Sequence, residues 1–186
     1  MTNFRTLMAK TLRAGESLAI MFIRLGGDLS EEYQKLAAGD PAPELGIPDQ
    51  NGNIVSAQEL FKKNTILYFF PSAGTPGCTK EAADFQDHLK DFEEHDYQVV
   101  GISPDSVSRL KSFEDSHELA FTLLSDELMA AHRAYGAYGD KSLFGRLYRG
   151  VLRSTIIVEA GGRVRDALYN VKATGHIPNL LRLISQ

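Results

Sequence analysis

Stretches of apolar, β-branched residues alternate with amphipathic helical patterns along most of this chain, and this alternation limits the folds that it can adopt. Thr65 to Phe70 is an unbroken apolar run, typical of a strand covered on both faces of a sheet. Tyr97 to Ser103 predicts a second buried strand, and residues 78 to 94 between them show one apolar face at helical spacing. Strands joined through helices run parallel, so the pattern predicts an α/β domain.

The second half of the chain continues this alternation and ends on an antiparallel pair. Ser154 to Glu159 and Val164 to Tyr169 predict a hairpin that turns at Gly161 and Gly162. The other predicted elements are a helix over 106–118, a strand over 121–124, a helix over 127–135, a loop rich in Gly, Tyr and Arg as far as Arg149, and a closing helix with Pro178 in its first turn. The predicted fold class is therefore an α/β three-layer sandwich with a mixed central sheet.

The first 37 residues add a segment before this domain. Apolar residues at helical spacing predict an amphipathic helix that ends near Gly26 and Gly27, followed by a short helix from Ser30 to about Ala38. The apolar stretch Leu18–Ile23 is too short for a secretory signal or for the roughly 20 apolar residues of a membrane span. We expect an N-terminal helical extension (1–37) that packs on its own domain or across a dimer, with membrane-surface binding or targeting as the alternative, and a main domain over 38–186.

Composition and charge exclude several classes of protein. With 43% hydrophobic and 24% charged residues among 186, the chain is neither disordered nor fibrous. A net charge of -4 argues against broad nucleic-acid binding. A single cysteine excludes an intrachain disulfide, an internal CxxC pair and zinc sites built on several thiolates. The five histidines lack metal-ligand spacing, so we expect neither a metal nor a cofactor.

The single cysteine lies in the segment Pro71-Ser-Ala-Gly-Thr-Pro-Gly-Cys78-Thr-Lys-Glu81. This segment leaves the carboxyl end of a predicted central strand, where ligands of open α/β sheets bind, and enters a helix. A helix N-terminus offers free N–H groups and positive potential, which favour a thiolate, the nucleophilic form of cysteine. A lone cysteine is more often a small buried hydrophobe, but such a residue does not require a Gly-Pro turn and a helix start. The context therefore predicts a nucleophile at Cys78.

This segment resembles the peroxiredoxins, and within them the bacterioferritin comigratory protein or peroxiredoxin Q branch. Pro71, Thr75 and Cys78 match the pattern PxxxTxxC, and Thr-Pro-Gly-Cys-Thr-Lys-Glu-Ala is close to the signature of that branch. The likeness covers about residues 38 to 186 and continues in the segments 101–106, 135–157 and 171–176. The resemblance implies a thioredoxin-like form of the three-layer sandwich. It also implies an enzyme, a thiol-dependent peroxidase that reduces hydrogen peroxide and organic hydroperoxides.

The resemblance assigns roles to four residues around the thiol. Cys78 would attack the peroxide as a thiolate and become a sulfenic acid. Thr75 would place its hydroxyl beside the sulfur and the bound peroxide, and Pro71 would shield the thiol from bulk water. The backbone N–H groups of Gly77 and Cys78 would polarise the peroxide oxygens. Taken alone, Thr75 could be only a turn residue and Pro71 only a strand terminator.

Two charged residues complete the site that the resemblance implies. Arg153 matches the active-site arginine of the family and would hold the thiolate and the transition state as a fixed cation. Glu81 matches the acidic position three residues after the cysteine and would orient the polar network. Taken alone, Arg153 could be one more surface charge in a tract that also holds Arg146 and Arg149.

The chain departs from the branch at Ala83, where many members carry a second cysteine. Since no other cysteine exists, the sulfenic acid must be resolved from outside, by a small thiol, by thioredoxin or glutaredoxin, or by Cys78 of a second subunit. This indicates a one-cysteine enzyme, a monomer or homodimer, for which we expect a cytoplasmic location. An engineered replacement of a resolving cysteine at position 83 fits the sequence equally well.

Two other functions remain as alternatives. A non-catalytic redox sensor or signalling module would use oxidised Cys78 to change partner binding without turnover. A cysteine hydrolase requires a histidine base, and no histidine adjoins Cys78 in the sequence.

Overall fold

The computed structural model describes residues 35–143 and 146–186, so the predicted helices over residues 1–34 lie outside the described residues. Residues 35–38, at the end of the predicted extension and second helix, are not helical. The N–H of Leu36 instead donates to the Tyr169 hydroxyl at 2.7 Å, and the N–H of Ala37 donates to the Asp40 carboxylate. This part of the chain is held by hydrogen bonds that a helix would not form.

The described residues form nine strands and six helices. The strands are β1 (Gly46–Pro48), β2 (Ile54–Ser56), β3 (Asn64–Phe69), β4 (Tyr97–Ser103), β5 (Thr122–Ser125), β6 (Tyr138–Leu143), β7 (Arg146–Val151), β8 (Ser154–Glu159) and β9 (Arg163–Tyr169). The helices are α1 (Ala57–Leu60), α2 (Pro76–Asp87), α3 (Leu89–Glu94), α4 (Val107–His117), α5 (Ala130–Ala134) and α6 (His176–Ile184). Ser56 caps α1 by accepting the N–H of Glu59.

Five strands build the central sheet in the order β5-β4-β3-β8-β9. Strands β3, β4 and β5 are parallel, whereas β8 runs antiparallel to β3 and β9 antiparallel to β8. Tyr68 of β3 therefore lies between Gly101 of β4 and Thr155 of β8. Helices cover both faces, so the predicted three-layer sandwich with a mixed sheet is confirmed.

Successive residues of β3 point to opposite faces of the sheet. Ile66, Tyr68 and Phe70 pack in one apolar cluster with residues of α2, α3, α4 and α6. Leu67 and Phe69 pack in a second cluster with residues of α1 and α5. This double burial explains why the run that contains β3 has no polar alternation.

Within the main domain, the structure differs from the sequence prediction chiefly in two segments. The helix expected over residues 78–94 is divided at His88 into α2 and α3, and α2 begins earlier, at Pro76. The segment expected to be a loop up to Arg149 contains the antiparallel pair β6 and β7. The prediction missed this pair because its glycines and charged residues interrupt the apolar alternation of a buried strand.

Candidate active site

Cys78 is the third residue of α2, and its side chain is only 1% exposed. Thr75 occupies the N-cap with extended backbone, and Pro76 fills the first helical position, where its missing N–H costs nothing. The N–H groups of Gly77 and Cys78 have no carbonyl four residues back within the helix, whereas the N–H of Thr79 already donates to the Thr75 carbonyl at 2.8 Å. The helix therefore presents two N–H groups beside the thiol.

The loop before α2 is held by two charged residues that the sequence analysis did not single out. The N–H of Ala73 donates to the Asp105 carboxylate at 2.6 Å, and Arg109 donates to the Ala73 carbonyl at 2.9 Å. Asp105 and Arg109 also form an ion pair with each other, at 3.1 Å. Their opposite charges four residues apart near the start of α4 were the sequence signal for this pair. They fix the turn that leads to Cys78.

Arg153 places a cation against the thiol. It precedes β8, which is the antiparallel neighbour of β3, and its Nη2 lies 3.2 Å from Cys78 Sγ. Nη1 of the same guanidinium donates to Glu81 in an ion pair. Burial opposes the charge on Arg153, but the Glu81 carboxylate and the Cys78 sulfur outweigh it, so the pKa of the guanidinium is raised. One fixed cation thus joins the sulfur to a buried carboxyl group.

Glu81 follows Cys78 by nearly one turn of α2 and is completely buried. Burial raises its pKa to about 7, although the Arg153 cation lowers it in part. Its Oε2 accepts from Arg153, while Oε1 has no hydrogen-bond partner among the described residues. The carboxyl group therefore changes its charge near neutral pH while it touches the cation that faces the thiol.

The other three predicted site residues lie on the loop and the first turn of α2. The Thr75 hydroxyl donates to the Ser72 carbonyl at 3.0 Å, which leaves its oxygen lone pairs free to accept a hydrogen bond. Gly77 lies beside Arg153, since a Cβ added there would be 3.8 Å from Nη2. Pro71 directly follows the end of the buried run and is half-buried. The structure joins Cys78, Glu81 and Arg153 by direct contacts and places Gly77 beside Arg153, whereas Thr75 and Pro71 lie on the segment that leads into α2.

His176 is a further buried group near this site. Its Nε2 lies 2.7 Å from the Thr155 hydroxyl, and Thr155 is two residues after Arg153 on β8. Burial, together with the Arg153 cation, lowers the pKa of His176 to about 4, so the ring is neutral at neutral pH. The sequence analysis did not include it in the site.

The described residues hold no group of three or more His, Cys, Asp or Glu side chains arranged to bind a metal ion. Within the same part of the chain, no helix combines the length and the apolar character that crossing a membrane requires.

Comparison with known proteins agrees with this geometry. The model of the AhpC/TSA family matches residues 38–167. The chain belongs to the AhpC/TSA family of peroxiredoxins. A Mycobacterium tuberculosis protein named as a peroxiredoxin is 47% identical over 151 residues, which cover 81% of this chain and 96% of that protein. Peroxiredoxin Bcp of Escherichia coli is 35% identical over 141 residues, or 76% of this chain and 90% of that protein.

A solved structure supports the same branch. The bacterioferritin comigratory protein of Xanthomonas campestris, studied for its alkyl peroxide reduction activity, superimposes with a TM-score of 0.71 at 30% identity. The match covers 76% of this chain and 90% of that one. This peroxiredoxin is a thiol-dependent peroxidase of the bacterioferritin comigratory protein and peroxiredoxin Q branch, and since Cys78 is its single cysteine it lacks a resolving cysteine.

Proposed function

We propose that Cys78 is the peroxidatic residue and that it reacts as a thiolate with the terminal oxygen of a hydroperoxide. The S–O bond forms as the O–O bond breaks, so Cys78 is oxidised to a sulfenic acid and the peroxide is reduced. The leaving alkoxide or hydroxide takes a proton from solvent and departs as an alcohol or water. Hydrogen peroxide and organic hydroperoxides are the substrates, the latter in keeping with the alkyl peroxide reduction activity of the Xanthomonas campestris relative.

One observation carries this proposal. Nη2 of Arg153 lies 3.2 Å from the sulfur of the only cysteine, which sits buried at the start of a helix. A cation at this distance in a water-poor site lowers the energy of the anionic sulfur and of the charge that passes to the peroxide oxygens. Since Arg153 is anchored by Glu81, it does not have to be reoriented during the reaction. In this proposal Arg153 is a catalytic residue, and Glu81 positions it.

The residues before Cys78 would bind the peroxide. The Thr75 oxygen would accept the hydrogen bond of the peroxide O–H, because its own proton is directed to Ser72. The N–H groups of Gly77 and Cys78 would donate to the oxygen that gains negative charge. Pro71 would limit access of water to the sulfur from the strand side. These roles rest on position along the loop and on family likeness.

The reaction cycle would be completed by a thiol from outside the chain. A reductant thiolate attacks the sulfenic sulfur of Cys78, so an S–S bond forms and hydroxide leaves as water. A second thiol then breaks that disulfide and returns Cys78 as a thiolate. A chain with one cysteine cannot supply either thiol, which supports a one-cysteine mechanism with thioredoxin, glutaredoxin or a small thiol.

The need for reduced thiols supports a cytoplasmic location, because that compartment keeps thiols reduced. We propose a main domain over residues 38–186 that carries the complete peroxide site, in a monomer or homodimer. The N-terminal residues 1–37 would then contribute to packing and not to the chemistry.

The decisive experiment measures how fast peroxide oxidises Cys78. Reduced protein is mixed with one equivalent of hydrogen peroxide, and the remaining thiol is counted at successive times, with mass spectrometry to identify the sulfenic acid. We expect a second-order rate constant several orders of magnitude above that of free cysteine, and no peroxide consumption by C78S. A rate equal to that of free cysteine would contradict the proposal.

Turnover separates the enzyme from a redox sensor. With dithiothreitol in excess, a peroxidase consumes many equivalents of peroxide per chain, whereas a sensor without turnover consumes one. His117→Gln, which changes a residue of α4 outside the site, serves as a variant that we expect to match the wild type.

A further inference from the structure

The connection between β9 and α6, residues 170–175, is hydrogen-bonded to the backbone that carries Arg153. The Val171 N–H donates to the Arg153 carbonyl at 3.0 Å. Where this connection ends, His176 begins α6, and its Nε2 lies 2.7 Å from the Thr155 hydroxyl. One short stretch of chain therefore forms hydrogen bonds both to Arg153 and to the second residue of β8.

Thr155 lies on the face of the sheet that carries the thiol. Ile157, two residues further along β8, packs in the cluster that contains Cys78. Since side chains alternate along a strand, Thr155 points to the same face as Ile157. Ile177 of α6 belongs to this cluster too, so the helix that begins with His176 covers this face. The hydrogen bond therefore joins α6 to β8 on the side of the thiol.

The His176 ring and the Thr155 hydroxyl are both taken out of water, since the two residues are 6% and 0% exposed. A buried polar group without a partner is unfavourable, so the folded chain retains this hydrogen bond. Burial and the Arg153 cation lower the pKa of His176 to about 4, so the ring is neutral at neutral pH. The ring therefore holds β8 without adding a second positive charge beside the guanidinium.

The position of the Arg153 guanidinium depends on both ends of a long side chain. At the far end it pairs with Glu81 and lies 3.2 Å from the Cys78 sulfur. At the near end its backbone lies in the gap between β7 and β8, outside both strands. The hydrogen bonds from Val171 and His176 hold the chain there. A displacement of about 1 Å can cost a catalytic group about 100-fold in rate, so the near end matters to the chemistry.

We propose that His176 and Thr155 are positioning residues for Arg153. Their hydrogen bond fixes the start of β8 against the first turn of α6, and it thereby fixes where the guanidinium meets the Cys78 sulfur. Neither side chain contacts the peroxide in this proposal. The inference rests on the proposed catalytic role of Arg153 and adds a second support for it, from the side opposite Glu81 along the arginine side chain.

Two substitutions remove the hydrogen bond with little change of shape. His176→Phe keeps a planar ring without nitrogens, and Thr155→Val replaces the hydroxyl with a methyl group. We expect each to slow oxidation of Cys78 by hydrogen peroxide about tenfold, measured by stopped flow on the reduced full-length protein. His176→Gln and Thr155→Ser keep a hydrogen-bonding group, so their rates should stay within about threefold of the wild type.

A double-mutant cycle shows whether His176 acts through Arg153. In the Arg153→Ala background, adding His176→Phe should change the rate of Cys78 oxidation less than twofold, because the group that the histidine positions is already gone. Combining His176→Phe with Thr155→Val should cost no more than either substitution alone, because both break the same hydrogen bond.

Leu180→Ala is the control for a general weakening of α6. Leu180 lies on the same helix, is 1% exposed and packs in the cluster that contains Cys78. Its truncation should lower the free energy of unfolding, measured by urea denaturation, at least as much as His176→Phe does. The rate of Cys78 oxidation should nevertheless stay within twofold of the wild type, since the bond between His176 and Thr155 remains.

Four results would overturn the proposal. The first is a wild-type rate in both His176→Phe and Thr155→Val, and the second is an equal loss in His176→Gln and His176→Phe. The third is a tenfold loss from His176→Phe that persists in the Arg153→Ala background. The fourth is a tenfold loss in Leu180→Ala, which would assign the effect to helix packing alone.

Two further points keep the test decisive. If His176→Phe does not fold, Thr155→Val, alone and in the Arg153→Ala background, gives the same comparison. A wild-type rate in Arg153→Ala itself would contradict the proposed role of the arginine, so that failure is distinguishable from failure of the inference about His176.

Discussion

Arg153 donates to the sulfur of Cys78 over 3.2 Å while the same guanidinium is paired with the buried carboxyl group of Glu81. The cation is thus shared between a nucleophile that must be anionic to react and a carboxyl group that need not be charged. The strength of its interaction with the sulfur depends on how firmly it is held in place.

The first prediction concerns Arg153 itself. Arg153→Ala should slow oxidation of Cys78 by hydrogen peroxide about 100-fold, because it removes a fixed donor and charge from the transition state. Arg153→Lys keeps the charge but not the planar pair of donors, so its rate should lie between those of the alanine variant and the wild type. Stopped-flow measurement of the second-order rate constant checks both values. Equal rates for the alanine variant and the wild type would remove Arg153 from the mechanism.

Glu81 should make the folded chain less stable as the pH rises, which is the opposite of the effect of a carboxyl group whose pKa is lowered by folding. Its pKa is raised from 4.5 to about 7 in the folded chain, so below pH 4.5 the group is protonated in both folded and unfolded states. Between pH 4.5 and 7 the Glu81 carboxyl group ionises more readily in the unfolded chain than in the folded one. The free energy of unfolding therefore falls as the pH rises. Across the whole interval, ionisation of Glu81 lowers the free energy of unfolding by about 3 kcal/mol.

Glu81→Gln should abolish that dependence, since glutamine has nearly the same shape and does not ionise. Urea unfolding of both proteins at several pH values between 4 and 8 measures this dependence. The free energy of unfolding of the wild type, relative to that of the variant, should fall as the pH rises and then level off. A difference that grows in favour of the wild type as the pH rises would contradict the prediction.

The sequence was sufficient for the fold class because burial on both faces of β3 and the helical spacing of residues 78–94 are local patterns. It was also sufficient to name Cys78, Glu81 and Arg153 as a group, but only through family likeness. Arg153 is 75 residues from Cys78, and no periodicity connects them. The antiparallel pairing of β8 with β3 brings them together, and that pairing depends on the whole sheet.

The residues that the sequence analysis missed make contacts that depend on the tertiary packing. Asp105 and Arg109 act through backbone groups of Ala73, and such contacts depend on where a loop passes a helix. His132, unlike that charged pair, gave no signal in the sequence, because a histidine in a short helical pattern is equally compatible with an exposed position. Only the packing of α5 on the sheet shows that it is completely buried.

A substitution at Gly101 of β4 tests how the central sheet supports α2, the helix that carries Cys78. A Cβ at this position would lie 2.8 Å from the Tyr68 ring and 2.8 Å from Leu123. The Tyr68 ring stacks on Phe85 of α2 with centroids 4.5 Å apart, so the ring cannot move without disturbing that helix. Gly101→Ala should therefore lower the free energy of unfolding by about 1–3 kcal/mol.

Gly46→Ala is the matched control for this substitution. Gly46 also lies in a strand, and a Cβ there would have nothing within 4 Å. Urea denaturation of both variants checks the prediction, which would be wrong if the two substitutions had equal effects.

Asp126 and His132 form a buried pair on the sheet face opposite Cys78. The Asp126 carboxylate accepts from His132 Nδ1 at 2.7 Å and from the His132 backbone N–H at 2.8 Å, and the His132 ring packs against Phe69. Burial opposes ionisation of Asp126, but these hydrogen bonds outweigh it and hold its pKa below the usual value. A carboxyl group with a lowered pKa stabilises the fold above its unfolded pKa of about 3.9, and this stabilisation is lost as the pH falls through the folded value.

Asp126→Asn should therefore cost about 1–3 kcal/mol at pH 7, with a smaller difference from the wild type below pH 4. The rate of Cys78 oxidation by hydrogen peroxide should stay within twofold, because the His132 ring packs on Phe69, whose cluster lies on the opposite face of the sheet from the cluster that contains Cys78. Denaturation and stopped-flow oxidation of the same preparation measure both quantities. A large loss of rate at full stability would show that this pair acts on the peroxide site, whereas a loss of stability alone identifies it as a support of α5.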